Sequence, residues 1–228
     1  MGQIRLQGDP GTSVELRRSA RARRITLRVS SLDGRVTLTL PPHVSERAAL
    51  DFAEEKADWI AAALLKQAEP VVVGIGTSLP VEGRLRRVVA GEGRAARLSG
   101  DTIACPPKRP APALEALLKA LARDRLVAAS EAYAARIGRS FRKITLRDTR
   151  SRWGSCSQAG NLMYSWRLIL APPEVLDYVA AHEVAHLAHM DHSAAFWEAV
   201  EGLCPNYAEP RAWLRREGAA LHRYRFAH

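Results

Sequence analysis

The chain is poor in several features that would point elsewhere. Its 228 residues include only three cysteines. Cys105, Cys156 and Cys204 are an odd number, far apart, with no CxxC pair. A disulfide framework is therefore not expected, and a reducing compartment, the cytoplasm, is. No stretch approaches the roughly 18 uncharged apolar positions of a membrane span, so no membrane partner is expected. Met1-Gly2-Gln3-Ile4-Arg5 leads into a polar segment without the apolar core of a secretory signal. There is no internal repeat. Ser151, Ser155 and Ser157 sit in no G-x-S-x-G elbow. Gly74-Ile75-Gly76 lacks the third glycine and the following helix of a phosphate loop.

What remains is ordinary globular composition, 47% hydrophobic and 25% charged, enough for one large domain or two small ones. Lys and Arg outnumber Asp and Glu 34 to 24, a net charge of +10 that attracts anions. Residues 17–24 hold five arginines: Arg17, Arg18, Arg21, Arg23 and Arg24. They offer a docking patch for nucleic acid or another anionic partner, or they are a charged strand edge that resists aggregation. No aromatic residue interleaves them, as a base-stacking surface would require. Seven histidines are present, and His182, His186, His189 and His192 fall within eleven residues.

The pattern predicts an α+β chain in two parts. Residues 24–30 and 36–40 alternate apolar and polar, with Asp33-Gly34 between them, which reads as a β-hairpin. Ser45 caps a helix expected to run to about Gln67. Residues 71–73, 78–81, 86–90 and 102–105 read as short strands punctuated by glycine. Pro106, Pro107, Pro110 and Pro112 read as a linker, so the domains are expected at 1–110 and 111–228. The first is a small antiparallel β-rich domain with one helix. In the second, a helix runs from Ala113 to about Ile137 and strands occupy 143–147 and 162–170. Pro172-Pro173 opens a helix reaching His189 or Met190, and helices at 193–203 and 209–221 follow.

The histidine helix carries the chemistry. His182-Glu183-Val184-Ala185-His186 places two imidazoles one turn apart on one face, with Glu183 offset beside them. This is the H-E-x-x-H pattern of zinc peptidases. A catalytic zinc takes a third protein ligand and keeps one position open. His189 continues the helical face, but three side chains climbing a straight helix spread too far to close on one ion. His192 follows Met190-Asp191, where the helix breaks, and can return from a third direction; it is preferred. The spacing to His192 is that of metzincins, although His189 stands where they have glycine. Glu198 or Glu201 is the alternative third ligand. The expected cofactor is one zinc ion held by His182, His186 and His192, with Glu183 as general base. Arg150, Arg152, Arg167, Tyr164 and Tyr207 are candidates to stabilise the transition state, with Arg150 and Arg152 favoured. The substrate is a peptide or a phosphate-containing molecule such as a nucleoside triphosphate. A non-enzymatic nucleic-acid binder with a structural metal is disfavoured, because such a site needs no general base.

Longer stretches carry a family resemblance. Arg147-Asp148-Thr149-Arg150-Ser151-Arg152-Trp153-Gly154-Ser155-Cys156-Ser157, Asn161-Leu162 and Trp166-Arg167-Leu168-Ile169-Leu170-Ala171-Pro172-Pro173 precede the histidine helix. His192-Ser193 and Phe196-Trp197 follow it. Together they resemble the YgjP-like metal-dependent hydrolases, relatives of the SprT-like and WLM zinc peptidases. The match is dense over residues 115–220, and the basic hairpin with Lys56-Ala57-Asp58-Trp59-Ile60 resembles the family's N-terminal part. The resemblance implies a minimal zincin-like domain: an active-site helix beside a short antiparallel sheet. It also implies metal ligands His182, His186 and His192, with Glu183 as acid/base.

Overall fold

The structure, a computed structural model, describes residues 2–5, 13–30, 34–65 and 69–226. The expected turn at Ser31-Leu32-Asp33 and the expected helix end at Gln67 lie outside them. Two compact units form, Met1–Glu69 and Pro70–His228.

The first unit contains β1 (Gly2–Arg5), β2 (Ser13–Arg18), β3 (Thr26–Val29) and β4 (Val36–Leu40), in sheet order β1-β2-β4-β3. The expected hairpin is present as the antiparallel pair β3–β4. The sheet is mixed rather than antiparallel, because β3 pairs on the far side of β4 and leaves β2 beside β4 in parallel. Val36, Leu38 and Leu40 point inward from β4, as the alternation requires. They pack with Val14, Leu16, Ala49, Ala53 and Ile60. Ser45 caps α1 (Glu46–Glu55), its Oγ accepting from the Ala48 N–H at 3.2 Å. One helix was expected here, but α1 stops at Lys56 and α2 (Ala57–Leu65) restarts. Arg18 donates to the carbonyl oxygens of Pro42 and Val44, so one of the five basic-segment arginines braces its own unit.

The second unit begins with β5 (Val71–Val72), β6 (Ser78–Val81), β7 (Arg84–Ala90), β8 (Arg97–Ser99) and β9 (Thr102–Cys105). The last four form a sheet in the order β6-β7-β9-β8. The expected division near residue 110 falls inside this unit. Leu79, Val81, Val88 and Ile103 share one apolar cluster with Leu114, Leu118 and Leu126 of α3 (Pro110–Arg136). The β6–β7 turn is also tied down, since the Glu82 N–H donates to the Ile169 carbonyl at 2.8 Å. Of the four prolines read as a linker, Pro106 and Pro107 precede α3, and Pro110 and Pro112 occupy its first turn, where a missing N–H costs nothing.

Beyond α3 lie β10 (Lys143–Arg147), β11 (Gly154–Cys156) and β12 (Asn161–Ser165). The expected antiparallel sheet is again mixed, in the order β10-β12-β11. β10 and β12 are parallel because the segment joining them is long enough for a crossover; β11 forms within it and pairs antiparallel with β12. The strand expected at 162–170 ends at Ser165. Trp166–Leu170 is a 3-10 turn in which all five residues are buried, and a continuous apolar run has no period to reveal that. Three helices follow, α4 (Pro173–Ala185), α5 (Ala194–Leu203) and α6 (Ala208–Glu217). The chain then makes a 3-10 turn, Gly218–Arg223, and ends in β13 (Tyr224–Arg225), which pairs with β5.

Arg167 locks this end of the unit. It grips Asp148 bidentately at 2.6 and 3.0 Å and donates to the carbonyls of Leu221 and Tyr224. Burial works against the Asp148 carboxylate, but the Arg167 hydrogen bonds and charge outweigh it and hold its pKa below the usual range. His222 is buried against Trp153, ring centres 5.2 Å apart. Burial, then the charge of Arg167, pushes its pKa down to about 4. The unfolded chain therefore binds the extra proton between about pH 6.5 and 4, and stability falls as pH falls through that window. We expect wild type to lose on the order of 2–3 kcal/mol more than His222→Phe across it, read from urea midpoints. Equal pH slopes for the two proteins would show that His222 does not titrate this way.

Candidate metal centre

The site begins with the stop of α4. Both sides of this helix are buried: Ala180 and Val184 line one, while His182 and His186, one turn apart, continue the face of Val175 and Val179. The helix was expected to reach residue 189 or 190, but it ends at Ala185, with His186 at the C-cap. Its last turn tightens: the Leu187 N–H donates to Val184, and those of Ala188 and His189 donate to Ala185. The His189 carbonyl then lies 2.9 Å from His186 Nδ1. A carbonyl oxygen only accepts, so Nδ1 carries the proton and His186 Nε2 keeps a free lone pair. The chain reverses, Ser193 opens α5, and His192 returns to the helix.

His182, His186 and His192 each offer a ring nitrogen, all within 4.8 Å of one another. His192 Nε2 is 3.3 Å from His182 Nε2. Phe196 of α5 touches all three: it stacks on His186 with ring centres 4.4 Å apart and meets His192 and His182 edge-on at 4.8 and 4.9 Å. His189 contributes its carbonyl but its ring lies outside the cluster. Glu198 and Glu201 are exposed on α5 and also lie outside it.

Glu183 is turned away from solvent, 5% exposed. Its carboxylate arm lies against the backbone of Gly154 in β11. A Cβ at residue 154 would fall 2.6 Å from Glu183 Cγ and 2.7 Å from Cδ, distances real Cβ atoms do not tolerate. Glycine is needed here for closeness rather than for backbone conformation. Burial pushes the Glu183 carboxyl up to about 8, opposed by the charge of Arg152. Cys156 is no nucleophile here: burial, then the Glu183 charge, pushes its thiol up to about 11.

The other candidates separate. The charge of Arg152 bears on Glu183, whereas that of Arg150 bears on His222. Arg167 is committed to Asp148, and Tyr164 is buried with its hydroxyl 3.0 Å from Ser130 Oγ. Tyr207 stacks on Trp197 and Tyr178. Sequence reading missed Arg211, whose guanidinium lies 4.3 Å from the Trp197 ring centre. Its only sequence signal is its place one helical turn after Tyr207.

The donor set fits a divalent ion. Metal ligands must be neutral imidazoles. Burial, then the charges of His186, His192 and Arg211, pushes His182 down to about 4, and burial also lowers His186. Two nitrogens held by a tetrahedral zinc at 2.0–2.1 Å stand roughly 3.3–3.4 Å apart, close to the His182–His192 spacing. Of the three imidazoles His192 is the exposed one, and the Trp197 ring lies 6.0 Å from it, centre to centre.

Comparison with known families first gives the class, a metal-dependent hydrolase of the metallopeptidase type. The family model described as YgjP-like, metallopeptidase domain, matches residues 23–217, and the chain belongs to the YgjP-like family. That family implies a metal and a peptide substrate, and the histidine triad can bind one ion. Among solved structures the chain is similar to the metallopeptidase zymogen abylysin of Pyrococcus abyssi. The identity is 21% and the TM-score 0.36, over 40% of this chain and 93% of that one. No curated protein matches. No helix among the described residues is long and apolar enough to cross a membrane.

The contact at Gly154 yields a test. Gly154→Ala has to displace the Glu183 carboxylate while leaving the three histidines in place. Hydrolysis should fall roughly tenfold to a hundredfold with bound metal unchanged, measured by peptide turnover and metal analysis of the same sample. Undiminished turnover would mean that the position of Glu183 is not critical.

Proposed function

We propose that the chain is a zinc-dependent peptidase of the H-E-x-x-H type, with His182, His186 and His192 as ligands of one ion and Glu183 as general base. The convergence of the three imidazoles on one point, one residue away from a buried carboxylate, carries this reading. When bound, the ion supplies Lewis acidity toward the carbonyl oxygen and the attacking water, and positive charge that favours ionised Glu183. Glu183 takes the proton of the attacking water on a carboxylate oxygen and passes it to the departing amine nitrogen. Gly154 sets where that oxygen stands. Of the two favoured arginines, Arg152 serves this side of the reaction, and its charge tempers the proton affinity of Glu183. The charge of Arg150 bears on His222. β11 is the edge of its sheet, so its outer backbone groups can pair with an extended peptide laid beside α4.

The family match favours peptide over nucleotide, and no observation favours a nucleoside triphosphate or a nucleic-acid partner. The cytoplasmic assignment rests on the three cysteines, all free thiols.

Purified protein should bind one zinc per chain and release fragments from a peptide library, and a chelator should stop that release. Glu183→Gln should keep its zinc and lose at least roughly a hundredfold in turnover. His192→Ala should lose zinc affinity as well as turnover. Full activity in Glu183→Gln would refute the mechanism. Pyrophosphate release from nucleoside triphosphates without peptide cleavage would refute the substrate.

A further inference from the structure

One cation beside the centre packs on an aromatic ring. Arg211 lies on α6, its N–H donating to the Tyr207 carbonyl at 3.1 Å, and its guanidinium packs on the Trp197 indole. That indole is 5.8 Å from the His182 ring and 6.0 Å from the His192 ring, centre to centre. Tyr207 stacks on Trp197 at 5.4 Å and on Tyr178 at 6.4 Å, and Tyr178 stands 5.9 Å from His182. Aromatic rings thus fasten this stretch of α6 to the triad, and Arg211 comes with it. Arg167 is gripped by Asp148, but among the described residues no carboxylate forms an ion pair with Arg211. A guanidinium held over an indole face by its charge still has N–H donors to offer another group.

Its side of the site also matters. Arg211 stands on Trp197, which faces His182 and His192, whereas the Glu183 carboxylate lies against Gly154 of β11. When water adds to a peptide carbonyl, a C–O bond forms and the π pair moves onto the carbonyl oxygen, while the water proton goes to Glu183. On collapse the C–N bond breaks, its electrons go to nitrogen, and Glu183 returns the proton there. The oxygen that becomes anionic needs a cation. That cation belongs away from Glu183, because positive charge at the base lowers its affinity for the proton it must take.

We propose that Arg211 is a catalytic residue that binds the carbonyl oxygen of the scissile peptide bond and stabilises the negative charge it acquires. The assignment rests on the peptidase reading above and adds its oxyanion partner. Trp197 is the positioning residue that holds the guanidinium in place.

The test uses the full-length, zinc-loaded protein and a peptide it cleaves, prepared with an amidated and with a free C-terminus. Arg211→Gln should lower kcat on the order of a hundredfold with KM within about threefold, equally for both peptides, at unchanged zinc content and Tm. Arg211→Lys should recover part of that loss. A phosphinic peptide, which mimics the tetrahedral anion, should lose affinity for Arg211→Gln by a factor comparable to the loss in kcat. Trp197→Leu should show a smaller loss of the same kind, which covers the case of a misfolded Arg211 variant. Unchanged kcat in folded Arg211→Gln or Trp197→Leu would overturn the proposal. So would an effect confined to KM for the free-carboxylate peptide, which would make Arg211 a terminal-carboxylate anchor. If zinc-loaded wild type cleaves no peptide, the peptidase reading itself fails and takes this assignment with it; wild-type turnover with an indifferent Arg211 isolates failure of the latter.

Discussion

The hydrogen bond from His186 Nδ1 to the His189 carbonyl governs the site. A helix can present two imidazoles one turn apart, but a third on the same straight helix climbs away from them. The chain must stop, turn and come back. This bond closes the turn that ends α4 at Ala185 and also decides which nitrogen of His186 carries the proton. Ring orientation and tautomer are thus set together, by a backbone group the helix would otherwise leave unpaired. Once the turn is made, His192 arrives 3.3 Å from His182, and Phe196, four residues later, touches all three rings.

Burial then works at two adjacent residues with opposite chemical effect. It holds the His182 imidazole in its neutral form, which a metal ligand must be. It raises the proton affinity of the Glu183 carboxyl, which a proton acceptor must have. Both effects follow from the same cost of placing charge away from water. The fold supplies the dry wall on one side through Gly154, where the lack of a side chain lets β11 approach the carboxylate. On the other side the aromatic residues Phe196, Trp197, Tyr178 and Tyr207 enclose the histidines.

Reading from the chain alone succeeded where a local period or a fixed ligand spacing was present. The alternation of Val36, Leu38 and Leu40 located β4, the spacing of Leu114, Leu118 and Leu126 located α3, and H-E-x-x-H located two members of the triad. It failed where the deciding partner was distant in sequence. The prolines at 106–112 resemble a linker because their composition is that of one. The apolar cluster joining Leu79 and Val88 to Leu118 puts both sides of them in a single unit, and Pro110 and Pro112 begin a helix. Both sheets were expected to be antiparallel. Strand direction depends on where the connecting segment travels, and residue type along the strand does not record that.

By itself, then, the sequence determined the chemical inventory: two imidazoles and a carboxylate at helical spacing, a third histidine after a helix stop, and cysteines too few and too scattered for bridges. The reason is that helical geometry is a local property of the backbone and fixes which neighbours share a face. Only the tertiary structure decided that His192, rather than His189, Glu198 or Glu201, joins the other two imidazoles. It alone separated Arg152, Arg150 and Arg167 into different surroundings and brought Arg211 to the Trp197 ring. An arginine's reach exceeds the spacing between its neighbours, so where its charge acts is decided by what packs around it and not by its place in the chain.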